Sequence, residues 1–468
     1  MGTITKEMGL AGITTQPITS HTNPFKAPSD DIPSLVEEII PCHYPPFEGT
    51  GTSSSTPYSW EVPPDAKHWT SKVLWLTGLY RISKLKANGE RDKWSATPEG
   101  VINDPILLGG KWGLVDDVAQ KMWKKITIHV NGIPIEDPCS HPYPYRSMFE
   151  SLTGHDALPK ENIHKQLMNH LRDEIAEEGS NYQKLTQNSI KRFKNLAKEE
   201  WTEFCIPIHS DLMSLKQHIP PNNSFRVTAE RWDDGYLFLT DQATNQKCKL
   251  ELSHVELIVD KVESNTKTEK GGKKGITLTR LRDIPKIKNE TDLSCRNLFR
   301  GEHLPQQVVV FLVDTQAFGG AWNKNAFQFA LETISEAALI VDGVYVQPRR
   351  KLTNIRNGVK GWGTLEMYKH VHSSMGWDYL HRNKIIDMNF DQWTKDTFFL
   401  SFDRSKAQNN SFTMAADPLP GQYLDLKYTL ASGNKLATAK TLVVMGIYKT
   451  FIEFNPDGSM AYIPHITT

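Results

Sequence analysis

The chain has no run of the roughly 18 apolar residues that a membrane-spanning helix needs, so no membrane segment is expected. It has no excess of either charge: 54 basic side chains stand against 54 acidic ones, which leaves nothing to steer it onto a nucleic acid. Cysteine is sparse. Cys42, Cys139, Cys205, Cys248 and Cys295 are odd in number and form no CxxC pair, which predicts reduced thiols in a chain made in the cytosol and speaks against zinc. There is no Gly-x-Ser-x-Gly elbow, and the glycines at 109–110 and 271–275 lack the order of a phosphate-binding loop. The start of the chain is not basic-then-apolar, and Lys6 stands where a myristoylation signal wants Ser or Thr. No catalytic constellation and no cofactor are expected.

What is present is β-pattern and turn chemistry, with 30 glycines, 27 prolines and 10% aromatic residues. Residues 308–313 are six consecutive apolar residues between a proline and a Gly-Gly pair, which suits a strand buried on both faces. Residues 325–329 then read as an extended arm. Ile126, Ile128 and Val130 alternate with Thr127, His129 and Asn131, and Asn131-Gly132 turns the chain as a hairpin. Residues 72–85 are apolar on both faces and predict a strand packed on both sides. Residues 143–152 and 362–372 switch to a helical period. Asp342-Gly343 is a second turn dipeptide, and 264–275 is a charged, glycine-containing linker.

The reading is therefore all-β: two tandem jelly-roll (β-sandwich) domains with short helices and loop insertions, although composition alone fits a generic sandwich as well. An extended arm covers 1–55, with two lysines against six carboxylates, so it is no genome-binding tail. The first jelly roll covers 56–263, with insertions at about 88–118 and 161–200 on its outer surface. The second covers 276–468.

Several stretches carry a family resemblance. They are PYSWEVPPDAKHWTS (57–71), ITIHVNGIPIE (126–136), YPYRSMFESL (143–152), IPIHSDLMSLKQHIPPNNSFRV (206–227), FRGEHLPQQVVVFLVDTQAFGG (299–320), LPGQYLDLKYTLA (419–431) and LVVMGIYKTFIEFNPDGSMAY (442–462). In that order they resemble the double jelly-roll major capsid proteins (hexons) of Polinton/Maverick elements and adintoviruses. The resemblance implies a structural, non-enzymatic protein. Three copies would form a pseudo-hexagonal capsomer, and capsomers would tile an icosahedral virion beside penton and minor capsid proteins.

Rival readings rest on single motifs. His209-Ser210-Asp211 has the spacing of two facial ligands of a non-haem iron oxygenase, with His254, His303 or His372 as third ligand and Arg226 or Arg231 for an oxoacid. The ordinary reading is a strand-end histidine with Asp211 opening a turn. His370 and His372, two apart on a helix, point to different sides and make poor ligands. Trp60, Trp69, Trp75, Trp322, Trp362 and Trp377 lie where a carbohydrate- or receptor-binding sandwich puts stacking platforms, but core and subunit contacts use tryptophan in the same way.

Overall fold

The computed structural model describes residues 36–47, 56–95, 104–109, 111–135, 143–154, 185–215, 218–240, 248–264, 272–300, 304–329, 331–345, 352–375, 388–404 and 423–462. In the first half the principal elements are β1 (Val36–Tyr44), β2 (Tyr58–Val62), β3 (Trp69–Leu85), β4 (Trp123–Val130), β5 (Ile133–Pro134), helix α1 (Tyr143–Gly154), β6 (Thr202–Pro207), β7 (Phe225–Arg231) and β8 (Cys248–Ser264). The second half runs β9 (Gly272–Lys286), β10 (Cys295–Arg300), β11 (Gln307–Asp314), β12 (Ile334–Val341), β13 (Val344–Tyr345), helix α2 (Thr364–Ser374), β14 (Leu400–Asp403), β15 (Tyr423–Leu430) and β16 (Lys440–Phe454).

Pairing makes the two halves equivalent. One sheet of the first half runs β1-β8-β3-β6 and the other β2-β7-β4-β5; the second half runs β9-β16-β11-β14 and β10-β15-β12-β13. Each half is a jelly roll: two antiparallel sheets whose strands swap partners in the same order. Alternation builds the cores. Phe225, Val227 and Ala229 of β7, and Leu424, Leu426, Tyr428 and Leu430 of β15, point inward and are buried. β11 is buried almost throughout, as its unbroken apolar run predicts.

The turn dipeptides do what their chemistry demands. Asn131-Gly132 and Asp342-Gly343 all have positive φ and close the hairpins β4-β5 and β12-β13. Asn357-Gly358 closes a further small hairpin, Ile355–Arg356 with Val359–Lys360, that the sequence reading passed over. The two helices fall where the helical period places them.

Some expectations need correction. Val36–Tyr44, assigned to the arm over 1–55, is an edge strand paired with β8. Its Pro41 and its Glu37-Glu38 pair disrupt alternation, but an edge strand tolerates a missing N–H and flanking charge. The linker expected at 264–275 is shorter, because β8 runs through Ser264 and β9 starts at Gly272. Within the described part of 88–118, the exposed turn at 88–91 gives way to side chains that belong to the core rather than to outer decoration. Trp94, Leu107, Trp112, Leu114 and Val115 are all buried, and Trp112–Leu114 pairs with Phe238–Thr240. Likewise Phe193 and Leu196, on helix Gln187–Leu196 of the 161–200 insertion, are buried; residues 161–184 lie outside the described set. Finally, Ala326, Phe327 and Phe329 do not form an extended arm: they are buried against the neighbouring half.

Candidate functional site: the junction between the two jelly rolls

One hydrophobic cluster runs through both halves. The first contact is aromatic. Tyr145, Phe149 and Leu152 recur on one face of α1, and Pro144 sits in the first turn, where its missing N–H costs nothing. Tyr145 lies 5.3 Å from Phe311 of β11, and Phe149 lies 5.1 Å from Phe311 and 4.8 Å from Phe399. The Tyr145 hydroxyl donates to the Ala326 carbonyl at 2.9 Å. Burying each such ring contributes about 1.5–3 kcal/mol. α1 is thus a wedge driven from the first jelly roll onto the outer face of β11.

The second contact is polar, and it absorbs the His209-Ser210-Asp211 motif. β9 is an edge strand, so some of its N–H groups lack a strand partner. Asp211 Oδ1 accepts from Thr279 N at 3.0 Å, and Ser214 Oγ accepts from Thr277 N at 2.7 Å. Two side chains of the first half therefore close the open edge of the second. Arg146 of α1 reaches Asp211 at 2.9 Å and Glu150 at 2.8 Å, one helical turn on. Arg280 stands 3.7 Å from Asp211, and His209 Nδ1 lies 2.8 Å from Glu150. Burial pushes Asp211 up to about 6, against the pull of Arg146 and Arg280. Burial acts the same way on Glu150, but Arg146 and His209 override it and hold that carboxyl at about 2.

The remaining contacts are backbone fits. Trp322 stacks on Phe238 at 5.6 Å and meets Trp112 edge-on. Gly235 lies so close to Gly320 that a Cβ would fall 2.2 Å from its carbonyl oxygen. Two hydrogen bonds hold that approach in place: Thr240 N donates to the Trp322 carbonyl at 2.7 Å, and the Tyr236 hydroxyl donates to the Phe318 carbonyl. At the other end, Asn223 Nδ2 donates to the Gly458 carbonyl at 2.7 Å and its Oδ1 accepts from Met460 N at 3.0 Å. Gly458 has φ +92, and a Cβ there would lie 2.6 Å from the Pro221 carbonyl oxygen.

The other sequence candidates are scattered. His254 is exposed in β8, His372 packs edge-on to Tyr368 at 4.3 Å, Arg226 is exposed, and Arg231 is buried and donates to the Leu250 carbonyl at 3.0 Å. His303 and Trp377 lie outside the described residues. Among the described residues, no three His, Cys, Asp or Glu side chains stand close enough to hold a metal ion. Trp60 and Trp69 are buried and Trp322 belongs to the junction, whereas Trp362 is 48% exposed.

No family model and no curated protein sequence matches the chain. Solved structures do. The mavirus major capsid protein aligns over 90% of this chain and 89% of its own, with a TM-score of 0.51 at 10% identity. The Faustovirus major capsid protein aligns over 97% of both chains, with a TM-score of 0.54 at 9% identity. A chain of the Sputnik virophage covers 93% of this one and 90% of itself, with a TM-score of 0.56 at 10% identity. The fold is the double jelly roll of viral major capsid proteins.

Within this double jelly roll, the sequence reading found His209 and Asp211 but not the residues that give them a role. Arg146 and Glu150 were visible as an i, i+4 pair inside YPYRSMFESL. Ser214 and Arg280 carried no local signal, because their partners lie 63 and more residues away in the chain.

Proposed function

We propose that this chain is a structural major capsid protein of the hexon type, not an enzyme. Three copies form a pseudo-hexagonal capsomer, capsomers tile an icosahedral virion, and penton and minor capsid proteins complete the shell. The observation that carries this reading is the junction: two copies of one jelly roll are joined by aromatic wedging and edge capping, and the shared fold covers nearly the whole of each capsid protein it aligns with. A shell subunit needs rigidity and lateral surfaces rather than a reactive cleft. In this reading β1–β8 make the first jelly roll, with β1 added to the expected 56–263, and β9–β16 the second. The chain is made in the host cytosol, and its sequence motifs support kinship with the Polinton/Maverick and adintovirus proteins.

Light scattering on a sizing column tests the reading. The expected result is a concentration-independent species of three 53.1 kDa chains, and hexagonal arrays or particles by electron microscopy. A monomer at every concentration would overturn it.

A further inference from the structure

The sequence contains three Asn-Gly dipeptides, at 88–89, 131–132 and 357–358, and all three sit in described turns. In this pairing the main chain can attack the side chain. Glycine has no Cβ to shield the amide nitrogen, which can close a succinimide ring on the asparagine side-chain carbonyl carbon. In a folded protein the outcome depends on how firmly the side chain and its turn are held.

The three are held very differently. Asn131 is clamped: its Nδ2 donates to Asn223 Oδ1 at 2.9 Å, and its Oδ1 accepts from Ser224 N at 2.9 Å and Ser224 Oγ at 3.3 Å. Its main-chain N also donates to the Ser224 carbonyl at 3.0 Å. Asn88 is exposed, and its Oδ1 accepts from Glu90 N at 3.1 Å. Asn357 is exposed, and among the described residues nothing bonds its side chain. A Cβ on Gly358 would meet no atom within 4 Å, so the flank of its nitrogen is open.

Backbone shape does not separate Asn357 from Asn131. Asn357 and Gly358 have φ of 50 and 77, and Asn131 and Gly132 have φ of 52 and 80. Anchoring does. The β4-β5 turn continues a strand paired with β7, whereas the Asn357 hairpin is two residue pairs, Ile355 with Lys360 and Arg356 with Val359, and residues 356–360 are all exposed. A hairpin so short and so exposed opens at little cost.

We propose that Asn357 is a site of spontaneous deamidation, and that its clamp protects Asn131, in a turn of the same shape, from the same reaction. The Gly358 amide gives its proton to solvent and its nitrogen bonds to Asn357 Cγ; the Cγ–Nδ2 bond breaks and ammonia leaves. Water then opens the succinimide at one or the other carbonyl, giving aspartate or isoaspartate with no change of oxidation state. Either product places a negative charge at the hairpin tip, and isoaspartate adds a methylene to the main chain of the turn. The change falls beside Val359 and Trp362, 54% and 48% exposed, so this surface alters as the protein ages. None of this depends on the shell reading.

Peptide mapping by mass spectrometry tests it on the intact wild-type chain, aged at neutral to mildly alkaline pH, with enzymatic isoaspartyl methylation as a second readout. Acid is expected to accumulate at Asn357 about tenfold faster than at Asn131, whose hydrogen bonds must break before its ring can close, with Asn88 between them. The same chain aged in denaturant should lose that ranking and convert all three at similar rates. Asn357→Gln, with its longer side chain, should abolish the isoaspartyl product at this hairpin and leave the other two sites unchanged. An Asn357 that keeps its amide in the folded chain while the denatured chain converts overturns the proposal. So does a folded Asn131 or Asn88 that reacts as fast as Asn357.

Discussion

α1 and α2 hold the same place in two topologically equivalent jelly rolls, yet they live in different surroundings. α1 is buried on nearly every side, because its own jelly roll lies on one flank and β11 on the other. α2 buries Met367 and Val371 and leaves Leu365 in the open. The lesson is that topology sets where a helix sits, while the neighbouring half decides how much of it is core. The outer sheet faces tell the same story from the other side: Phe311 of β11 is covered by α1, whereas Trp75 of β3 is only half-buried.

The comparison breaks most sharply at Phe149. Phe149→Ala removes the wedge from between Phe311 and Phe399 and is expected to cost about 3–5 kcal/mol, read from denaturant unfolding. Leu365→Ala, on the equivalent helix, should fall within about 0.5 kcal/mol of wild type in the isolated chain. Equal losses at the two positions would erase the distinction.

Arg146→Ala tests the polar half of the wedge. It strips Asp211, whose side chain is fully buried, of its nearest cation and should cost about 3–5 kcal/mol. Asp211→Asn alone should cost less, since burial already disfavours that charge. The double variant should recover part of the Arg146→Ala loss, as a double-mutant cycle would show.

Gly235→Ala pushes a methyl group at the Gly320 carbonyl and should cost about 1–3 kcal/mol through overpacking. Gly132→Ala meets no atom there and carries only the strain of its positive φ. Melting temperatures of the two separate a steric cost of the junction from an ordinary turn effect.

The smallest effect is on pH dependence, and the two carboxyls act in opposite directions. Glu150 is held at about 2 against an ordinary 4.5, so its contribution is complete above pH 4.5 and is lost as pH falls towards 2. Asp211 is raised from 3.8 to about 6, so the folded state binds its proton more tightly than the unfolded chain does. Its penalty is full above pH 6 and is relieved as pH falls towards 3.8. Glu150→Gln should flatten melting temperature against pH below 4.5, and Asp211→Asn should flatten it between about 6 and 3.8. A Glu150 side chain that is 35% exposed makes the first change the more modest.

Local pattern determined much of this protein. Alternation, an unbroken apolar run at β11, two turn dipeptides and two helical periods were enough for an all-β chain of two sandwich-like halves, because each depends on neighbours a few residues apart, whereas the jelly roll itself rested on the family resemblance. The edge strand β1 was hidden, since Pro41 and paired glutamates write an edge in the language of a loop. The junction lay beyond reach for another reason. Nothing local distinguishes a His-x-Asp that binds iron from one whose aspartate accepts an N–H from Thr279, 68 residues away. Nor does a polar loop announce that Trp112 will be wedged among Phe193, Phe238 and Trp322. The contacts of Asp211 with Thr279 and of Trp112 with Trp322 exist only once two jelly rolls lie side by side, where burial turns separate side chains into one shared core.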